Sequence, residues 1–246
     1  FYTLQQPHVP RTPHPRFEGL SGMGPRGDVI IEADWAIGEL YKTLESENLL
    51  DNTLIIFSSD NGPVLNDGYY DDAVEKLGDH TPKGELRGGK YSLFEAGTRV
   101  PFISYWKGKI NPGISDEMIS QIDILNSISK LVGLEYRSKD GIDFLDLIIN
   151  NKGKGREELI LEASTRTAYR KGDWVMIPPY KGQSIAKNVN IELGNSMDFK
   201  LYNLKDDPSQ KNDLSNIEDK KLKEMIKGFV KIRGKEFTNV KNLVLE

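Results

Sequence analysis

The fold is decided by the stretch TLIIFSSDNGP at residues 53–63. Its first half is a continuous apolar, β-branched run, which is typical of a strand that a parallel sheet covers on both faces. The run ends in Asp60 and Asn61, and Gly62-Pro63 then turns the chain. Open α/β sheets bind ligands outside the carboxyl ends of their strands. We therefore expect function around Asp60 and Asn61, whose side-chain oxygens can hold a hard cation.

The same residues have a plainer interpretation. Asp-Asn-Gly is good turn chemistry, and a strand end that caps the following turn would need no ligand. From these residues alone, the turn is the more common outcome. A metal site at Asp60 and Asn61 needs support from the rest of the chain.

The residue pattern elsewhere predicts helices and strands that change in character near residue 150. We expect an extended strand at residues 1–4, a helix over 28–50 capped by Asp28, a strand over 100–106 and a helix over 119–132 that stops at Gly133. Residues 61–97 form a connection of a length that is usually functional or mobile. After the polar residues 150–156, we expect short antiparallel strands at 159–162, 167–170, 174–177 and 200–202, then a helix over 218–233.

Composition narrows the class of protein. At 246 residues the chain is long enough for one large or two small domains with a real core. A formal net charge of −4 does not indicate a nucleic-acid partner, and we expect none. No apolar run approaches the length of a membrane span. The chain has no Cys, so it has neither disulfides nor a thiolate metal site.

Several sequence blocks resemble the arylsulfatase-type sulfatases of the alkaline-phosphatase superfamily. They recur in the family's order across nearly the whole chain: residues 22–28 (GMGPRGD), Asp34, 52–63, 86–90 (LRGGK), 95–101 (EAGTRVP), 120–123 (SQID) and 201–208 (LYNLKDDP). The resemblance implies an α/β fold, the C-terminal part of an alkaline-phosphatase-like sandwich with a mainly parallel sheet, plus a small antiparallel sheet-and-helix subdomain. We expect the division at residues 1–150 and 151–246.

One departure from the family pattern stands out. These sulfatases carry a Cys-x-Pro-x-Arg or Ser-x-Pro-x-Arg signature whose first residue becomes formylglycine, the nucleophile. Neither signature occurs in this sequence. We therefore expect the chain to be the C-terminal part of a sulfatase, partnered by an N-terminal part that supplies the formylglycine, and inactive without it. The resemblance further implies a periplasmic or secreted enzyme.

The resemblance also assigns roles to individual residues. Asp60 and Asn61 match ligands of Ca²⁺ or Mg²⁺, Lys90 matches the family's sulfate-binding lysine, and His8 matches a sulfate-binding histidine that protonates the leaving oxygen. His80, on the long connection, is a candidate for the substrate site because loops often carry binding residues. Arg87 is a weaker substrate-binding candidate that could instead serve a structural ion pair.

The implied reaction is hydrolysis of a sulfate ester on a carbohydrate or aryl substrate, with the charge of the sulfuryl oxygens held by preorganised cations. Two alternatives remain open. One is a phosphate or phosphonate ester hydrolase of the same superfamily, although such enzymes often have His at the position of Asn61. The other is a non-catalytic module that binds sulfated glycans.

Overall fold

The computed structural model describes residues 1–234 and Phe237. The helices are α1 (Gly24–Ser46), α2 (Ile124–Leu131), α3 (Leu145–Asn150) and α4 (Asp219–Arg233). The strands are β1 (Ile55–Ser58), β2 (Phe102–Tyr105), β3 (Glu158–Ala163), β4 (Arg166–Lys171), β5 (Trp174–Ile177), β6 (Ile185–Ala186), β7 (Ile191–Glu192) and β8 (Lys200–Asn203). Within the described residues, no helix has the length and apolar character that crossing a bilayer requires.

The strand that leads into the candidate site differs from the expectation. β1 pairs antiparallel with β2, with Ile55 opposite Tyr105 and Ser58 opposite Phe102. Its residues are half-buried, and Phe57 is exposed. Every strand pair in the described part of the chain is antiparallel, so the predicted parallel, fully buried strand is wrong for this pairing. A run of apolar residues indicates apolar surroundings, but it does not predict whether the neighbouring strand is parallel or antiparallel.

Two predictions near the start of the chain are also wrong. Residues 1–4 form no strand. Helix α1 begins at Gly24, four residues before Asp28, because Pro25 suits the first turn of a helix. The buried Asp28 carboxylate instead accepts bonds from the preceding loop, from Gly19 N at 2.8 Å and from N and Oγ of Ser21 at 2.9 and 2.6 Å.

The C-terminal half confirms the predicted antiparallel strands. β3, β4, β5 and β8 form one four-stranded sheet in that order, and Lys171-Gly172-Asp173 turns between β4 and β5. One face packs on α4 through the buried side chains of Tyr169, Met176, Leu201, Met225 and Phe229. The predicted last helix and its buried Met225 and Phe229 are therefore confirmed.

The opposite face of this sheet holds a segment from the long connection. Leu93 and Phe94 pack in one buried cluster with Val175, Ile177 and Tyr202. This packing crosses the division predicted at residue 150, which stays a prediction. It also anchors the segment directly after Lys90 on a rigid sheet.

Candidate active site

The turn after β1 holds its two polar side chains mainly by local bonds. Asp60 Oδ1 accepts a hydrogen bond from the backbone N–H of Asn61 at 2.9 Å, and Asn61 Nδ2 donates to the carbonyl of Gly62 at 2.9 Å. Asp60 Oδ2 and Asn61 Oδ1 take part in no hydrogen bond within the described residues. Both oxygens therefore remain as acceptors for a cation or for water.

Close backbone approach brings Lys90 to this turn. The N–H of Gly62 donates to the carbonyl of Gly97 at 2.9 Å, and the N–H of Lys90 donates to the carbonyl of Pro63 at 3.0 Å. A Cβ at Gly62 would lie 1.6 Å from the Ala96 carbonyl oxygen, and one at Gly89 would lie 2.6 Å from that of Pro63. Only glycine allows these contacts, so the motif glycines place Lys90 beside the strand end.

The Lys90 side chain lies among three polar groups. Its ammonium donates to Asp67 Oδ2 at 2.8 Å and lies 3.4 Å from His8 Nε2. The Tyr91 hydroxyl donates to the other oxygen of Asp67 at 2.9 Å. Lys90 and Asp67 are only 16% and 13% exposed, so this ion pair lies largely out of water.

The geometry around His8 indicates which ring nitrogen carries the proton. Nδ1 lies 2.6 Å from the carbonyl oxygen of Val9, which can only accept, so Nδ1 is the donor. In the neutral ring, Nε2 then accepts from the Lys90 ammonium. The His8 side chain is 60% exposed, so Nε2 lies where a substrate could reach it.

Arg11 joins the loop that carries His8 to the loop that carries Asp67. Its buried guanidinium donates to the Pro7 carbonyl at 2.9 Å on one side. On the other side it donates to the carbonyls of Val64 and Leu65 at 3.2 and 2.9 Å and to the Asp71 carboxylate at 3.0 Å. One side chain thus connects two segments that are more than 50 residues apart in sequence.

Charge in the site is stabilised by mutual pairing. Burial alone lowers the pKa of Lys90, but the hydrogen bond and negative charge of Asp67 outweigh burial, so the pKa of Lys90 lies above its usual value. Burial alone raises the pKa of Asp67, but hydrogen bonds from Lys90 and Tyr91 outweigh it, so the pKa of Asp67 lies below its usual value. Both groups are therefore charged at neutral pH.

The two other predicted substrate residues, His80 and Arg87, both form hydrogen bonds to other protein groups. His80 Nδ1 accepts a hydrogen bond from Arg26 at 3.0 Å. Arg87 donates to the Glu192 carboxylate and, at 2.6 Å, to the Gln210 carbonyl, and it lies over the ring of Phe94. A substrate role for His80 and Arg87 stays a prediction. For Arg87 the geometry supports the structural ion pair that the sequence left open.

Asp60 and Asn61 form only part of a metal site. Their carboxylate and amide oxygens are ligand types that Ca²⁺ and Mg²⁺ prefer, so the donor chemistry fits either ion. Calcium takes six to eight oxygens, however, and the described residues contain no group of three His, Cys, Asp or Glu side chains arranged to hold a metal. The remaining ligands would have to come from other groups.

A wide groove meets the candidate site only at its edge. It has a volume of about 1010 Å³ and runs along β2 and residues 110–122, with Asp60 and Arg99 in its lining. Neither His8 nor Lys90 lines it. The polar contacts, not the groove, therefore define the candidate active site.

Sequence reasoning did not single out Asp67, Tyr91 or Arg11. Asp67 lies in the acidic stretch NDGYYDD at residues 66–72, where the sequence does not distinguish one carboxylate from another. Tyr91 has a positive φ of 75°, which is uncommon for a bulky residue. Its position next to the lysine of the GGK block was the one available signal.

Comparison with known proteins agrees with this geometry. The model of the sulfatase family matches residues 1–134. An N-acetylgalactosamine-6-O-sulfatase of Bacteroides thetaiotaomicron is 44% identical over 225 residues, which cover 90% of this chain and 44% of that protein. Human arylsulfatase A is 32% identical over 166 residues, 67% of this chain and 31% of that protein.

Solved structures show the same relation. A sulfatase from B. thetaiotaomicron, determined in work on the metabolism of glycosaminoglycans, superposes with a TM-score of 0.90 at 42% identity over 94% of this chain and 49% of that one. A sulfatase from Pseudoalteromonas sp. gives 0.71 at 27% identity, over 94% and 48%. The chain thus has the α/β fold of sulfatases, which confirms the expected fold class, and spans about half the length of these relatives.

The chain belongs to the sulfatase family. Its matched region contains the strand end at Asp60 and Asn61, the histidine at position 8 and the lysine at position 90.

Proposed function

We propose that the protein hydrolyses sulfate esters and that His8 and Lys90 act directly on the sulfate group. One observation carries this proposal: Lys90 Nζ lies 3.4 Å from His8 Nε2, and the Lys90 backbone is bonded to the turn that carries Asp60 and Asn61. A cation and a proton-transferring ring thus lie together, and the backbone of the cation's residue is bonded to the segment that carries two metal-type ligands. Sulfatase relatives at 44% and 42% identity support the reaction class.

In the proposed reaction, the Lys90 ammonium binds a sulfuryl oxygen and stabilises the charge of the transition state. Of its three N–H donors, one is used by Asp67 and one points to His8, which leaves one for the substrate. His8, after taking up a proton at Nε2, donates it to the oxygen of the departing alcohol. Asp60 and Asn61 would hold part of a Ca²⁺ or Mg²⁺ site, and that ion would supply further positive charge for the sulfuryl oxygens.

The nucleophile of this reaction lies outside the 246 residues. The sequence contains no Cys and no Ser-x-Pro-x-Arg, and the chain spans 44% and 49% of two sulfatase relatives. We propose that a formylglycine is supplied by sequence beyond these residues. A periplasmic or secreted location is likewise a proposal drawn from the family resemblance.

For the substrate we propose a 6-O-sulfated N-acetylgalactosamine unit of a sulfated glycan. The support is the name of the Bacteroides relative at 44% identity over 90% of this chain. Lower identity to arylsulfatase A makes an aryl sulfate the second choice. These sulfate esters share the group that Lys90 and His8 would contact.

The test is a paired assay on a form of the protein that includes a formylglycine signature. Sulfate release is measured from N-acetylgalactosamine 6-sulfate and an aryl sulfate, and phosphate release from the matched phosphate esters. We expect sulfate release to exceed phosphate release by at least about 100-fold, which corresponds to about 2.7 kcal/mol of discrimination. Faster phosphate release would assign the protein to the phosphate hydrolases, and binding without turnover would indicate a glycan-binding module.

A further inference from the structure

Asp67 contacts both residues that the proposed function assigns to the sulfate. Its Oδ2 accepts from Lys90 at 2.8 Å and lies 3.9 Å from His8 Nε2, while its Oδ1 accepts from the Tyr91 hydroxyl at 2.9 Å. Two donors on separate oxygens fix the plane of the carboxylate. Asp67 lies outside the sequence blocks that carry the family resemblance.

The surrounding backbone fixes the position of this carboxylate. Arg11 holds the carbonyls of Val64 and Leu65 on one side of Asp67 and the Asp71 carboxylate on the other. Tyr91 adopts a φ of +75°, a left-handed conformation that is uncommon for a bulky residue. In this conformation the Tyr91 hydroxyl donates to Asp67 Oδ1.

A lysine ammonium needs such support to act on a substrate. Its four-carbon stem is flexible, and electrostatic stabilisation is effective only when the charge is in place before the reaction. An exposed ion pair would contribute little, but Lys90 and Asp67 are 16% and 13% exposed. With one ammonium N–H directed to Asp67 and one to His8, the third remains for a ligand.

We infer that Asp67 is the positioning residue of the site, which holds the Lys90 ammonium in place beside His8 with one N–H directed to the sulfate. This inference rests on the proposed function for its role in turnover. The contact between Asp67 and Lys90 is independent of that function and can be tested on the 246-residue chain itself.

The first test is competitive acetylation of lysines with limiting acetic anhydride at several pH values, read by mass spectrometry. In Asp67→Asn, Lys90 should be acetylated about tenfold faster, because the charge-assisted hydrogen bond that holds the pKa of Lys90 above its usual value is lost. The matched control is Asp72→Asn, which removes the exposed partner of Lys76 and should leave Lys90 unchanged. Unchanged acetylation of Lys90 in Asp67→Asn would overturn the inference.

The second test measures turnover in a form of the protein that includes a formylglycine signature. Asp67→Asn should lower kcat on the order of tenfold while Asp72→Asn keeps the wild-type rate, and Asp67→Glu should recover part of the loss. A wild-type kcat in Asp67→Asn would overturn the positioning role. If the wild-type protein releases no sulfate, the proposed function fails, whereas the acetylation result still decides the Asp67–Lys90 contact.

A variant with a smaller change covers the case in which Asp67→Asn does not fold. Tyr91→Phe removes only the hydroxyl that donates to Asp67 Oδ1. We expect acetylation of Lys90 to rise about two- to threefold, since a lost hydrogen bond to a charged group frees the carboxylate in part. If Tyr91→Phe changes neither kcat nor the acetylation of Lys90, the inference that Tyr91 holds Asp67 against Lys90 is wrong.

Discussion

Tyr169 and Met176 in the C-terminal sheet are 0% exposed, whereas Phe57, Ile103 and Tyr105 in the β1–β2 pair are 37%, 58% and 37% exposed. The four-stranded sheet covers both of its faces within this chain, on one side with α4 and on the other with residues around Phe94. The β1–β2 pair is only half-buried within the described residues, because Phe57, Ile103 and Tyr105 stay exposed. The candidate active site lies beside this less covered pair.

The difference shows two ways of holding a structure. The C-terminal sheet gains its stability from apolar surface removed from water. The candidate site is held by buried ion pairs and close backbone contacts, in particular those of Arg11, Asp67 and Gly62. Polar contacts are directional, so they can position a lysine and a histidine in a way that apolar packing alone cannot.

The largest expected effect is on the free energy of unfolding, from a substitution in the apolar contact between the C-terminal sheet and α4. Phe229→Ala removes a fully buried ring that packs edge-on against Tyr169 and should lower the free energy of unfolding by about 3–5 kcal/mol. The control is Ile232→Ala on the same helix, where the side chain is 48% exposed and the cost should be below about 1 kcal/mol. Urea unfolding of both variants makes the comparison. Equal costs would mean that α4 does not cover this face.

The next largest effect is on the free energy of unfolding, from a substitution of Arg11 at the candidate site. Arg11→Ala leaves the Asp71 carboxylate without its partner and should cost on the order of 3 kcal/mol, close to the loss of a core ring. Arg11→Lys keeps the charge but loses the fork of donors, so only part of the stability should return. Arg16→Ala, an exposed arginine over the ring of Trp35, is the control and should cost below about 1 kcal/mol. A negligible cost for Arg11→Ala in urea unfolding would show that the two loops do not depend on it.

A smaller effect is the change in the stability of the protein as the pH is lowered. Because the folded state lowers the pKa of Asp67, its carboxylate contributes stability that is fully present above the unfolded value of about 3.9 and is lost as pH falls through the lower folded value. Wild type should therefore be more stable than Asp67→Asn at pH 7, and the difference in the free energy of unfolding should be smaller at pH 3. Denaturant titrations at both pH values check this, with Asp72→Asn as the control for the substitution. A difference in the free energy of unfolding that is as large at pH 3 as at pH 7 would contradict the assigned charge.

The smallest effect on this chain concerns the metal. Asp60 and Asn61 supply one charge and two oxygens, so calorimetry should show Ca²⁺ binding to the 246-residue chain with a Kd of about 1 mM or weaker. In a form of the protein that completes the site, Asp60→Ala should abolish binding and Asn61→Ala should weaken it less, because water can replace a neutral ligand. Tight Ca²⁺ binding by the 246-residue chain would show that the site is misplaced. Unchanged Ca²⁺ binding in Asp60→Ala would show the same.

The sequence predicted the parts of the fold that depend on local pattern. Short runs with a tight turn at Lys171-Gly172-Asp173 located β3, β4, β5 and β8, and the period of 3.6 located α4, because both signals lie within a few residues of sequence. The direction of the β1–β2 pairing was not predictable, since it depends on which strand lies alongside. The start of α1 was misplaced because Asp28 looked like a helix cap and instead bonds the preceding loop.

The candidate site was predictable only where a motif marks it. His8, Lys90, Asp60 and Asn61 were assigned by the resemblance to a known family, and the structure brings His8 Nε2 within 3.4 Å of the Lys90 ammonium. Asp67 is 23 residues from Lys90 in sequence and carries no motif of its own. A long-range contact between a loop carboxylate and a lysine leaves no periodic trace, so only the folded structure reveals it.

The central claim is that the Lys90 ammonium acts on the sulfate, in addition to pairing with Asp67. The direct measurement is kcat for release of sulfate from N-acetylgalactosamine 6-sulfate by wild type, Lys90→Ala and Lys76→Ala, in a form of the protein that includes a formylglycine signature. We predict that Lys90→Ala, compared per folded molecule, lowers kcat by about 10²–10³ because one charge-stabilising donor is lost, and that Lys76→Ala keeps the wild-type rate. A kcat for Lys90→Ala within about twofold of wild type, a difference of about 0.4 kcal/mol, would contradict the claim.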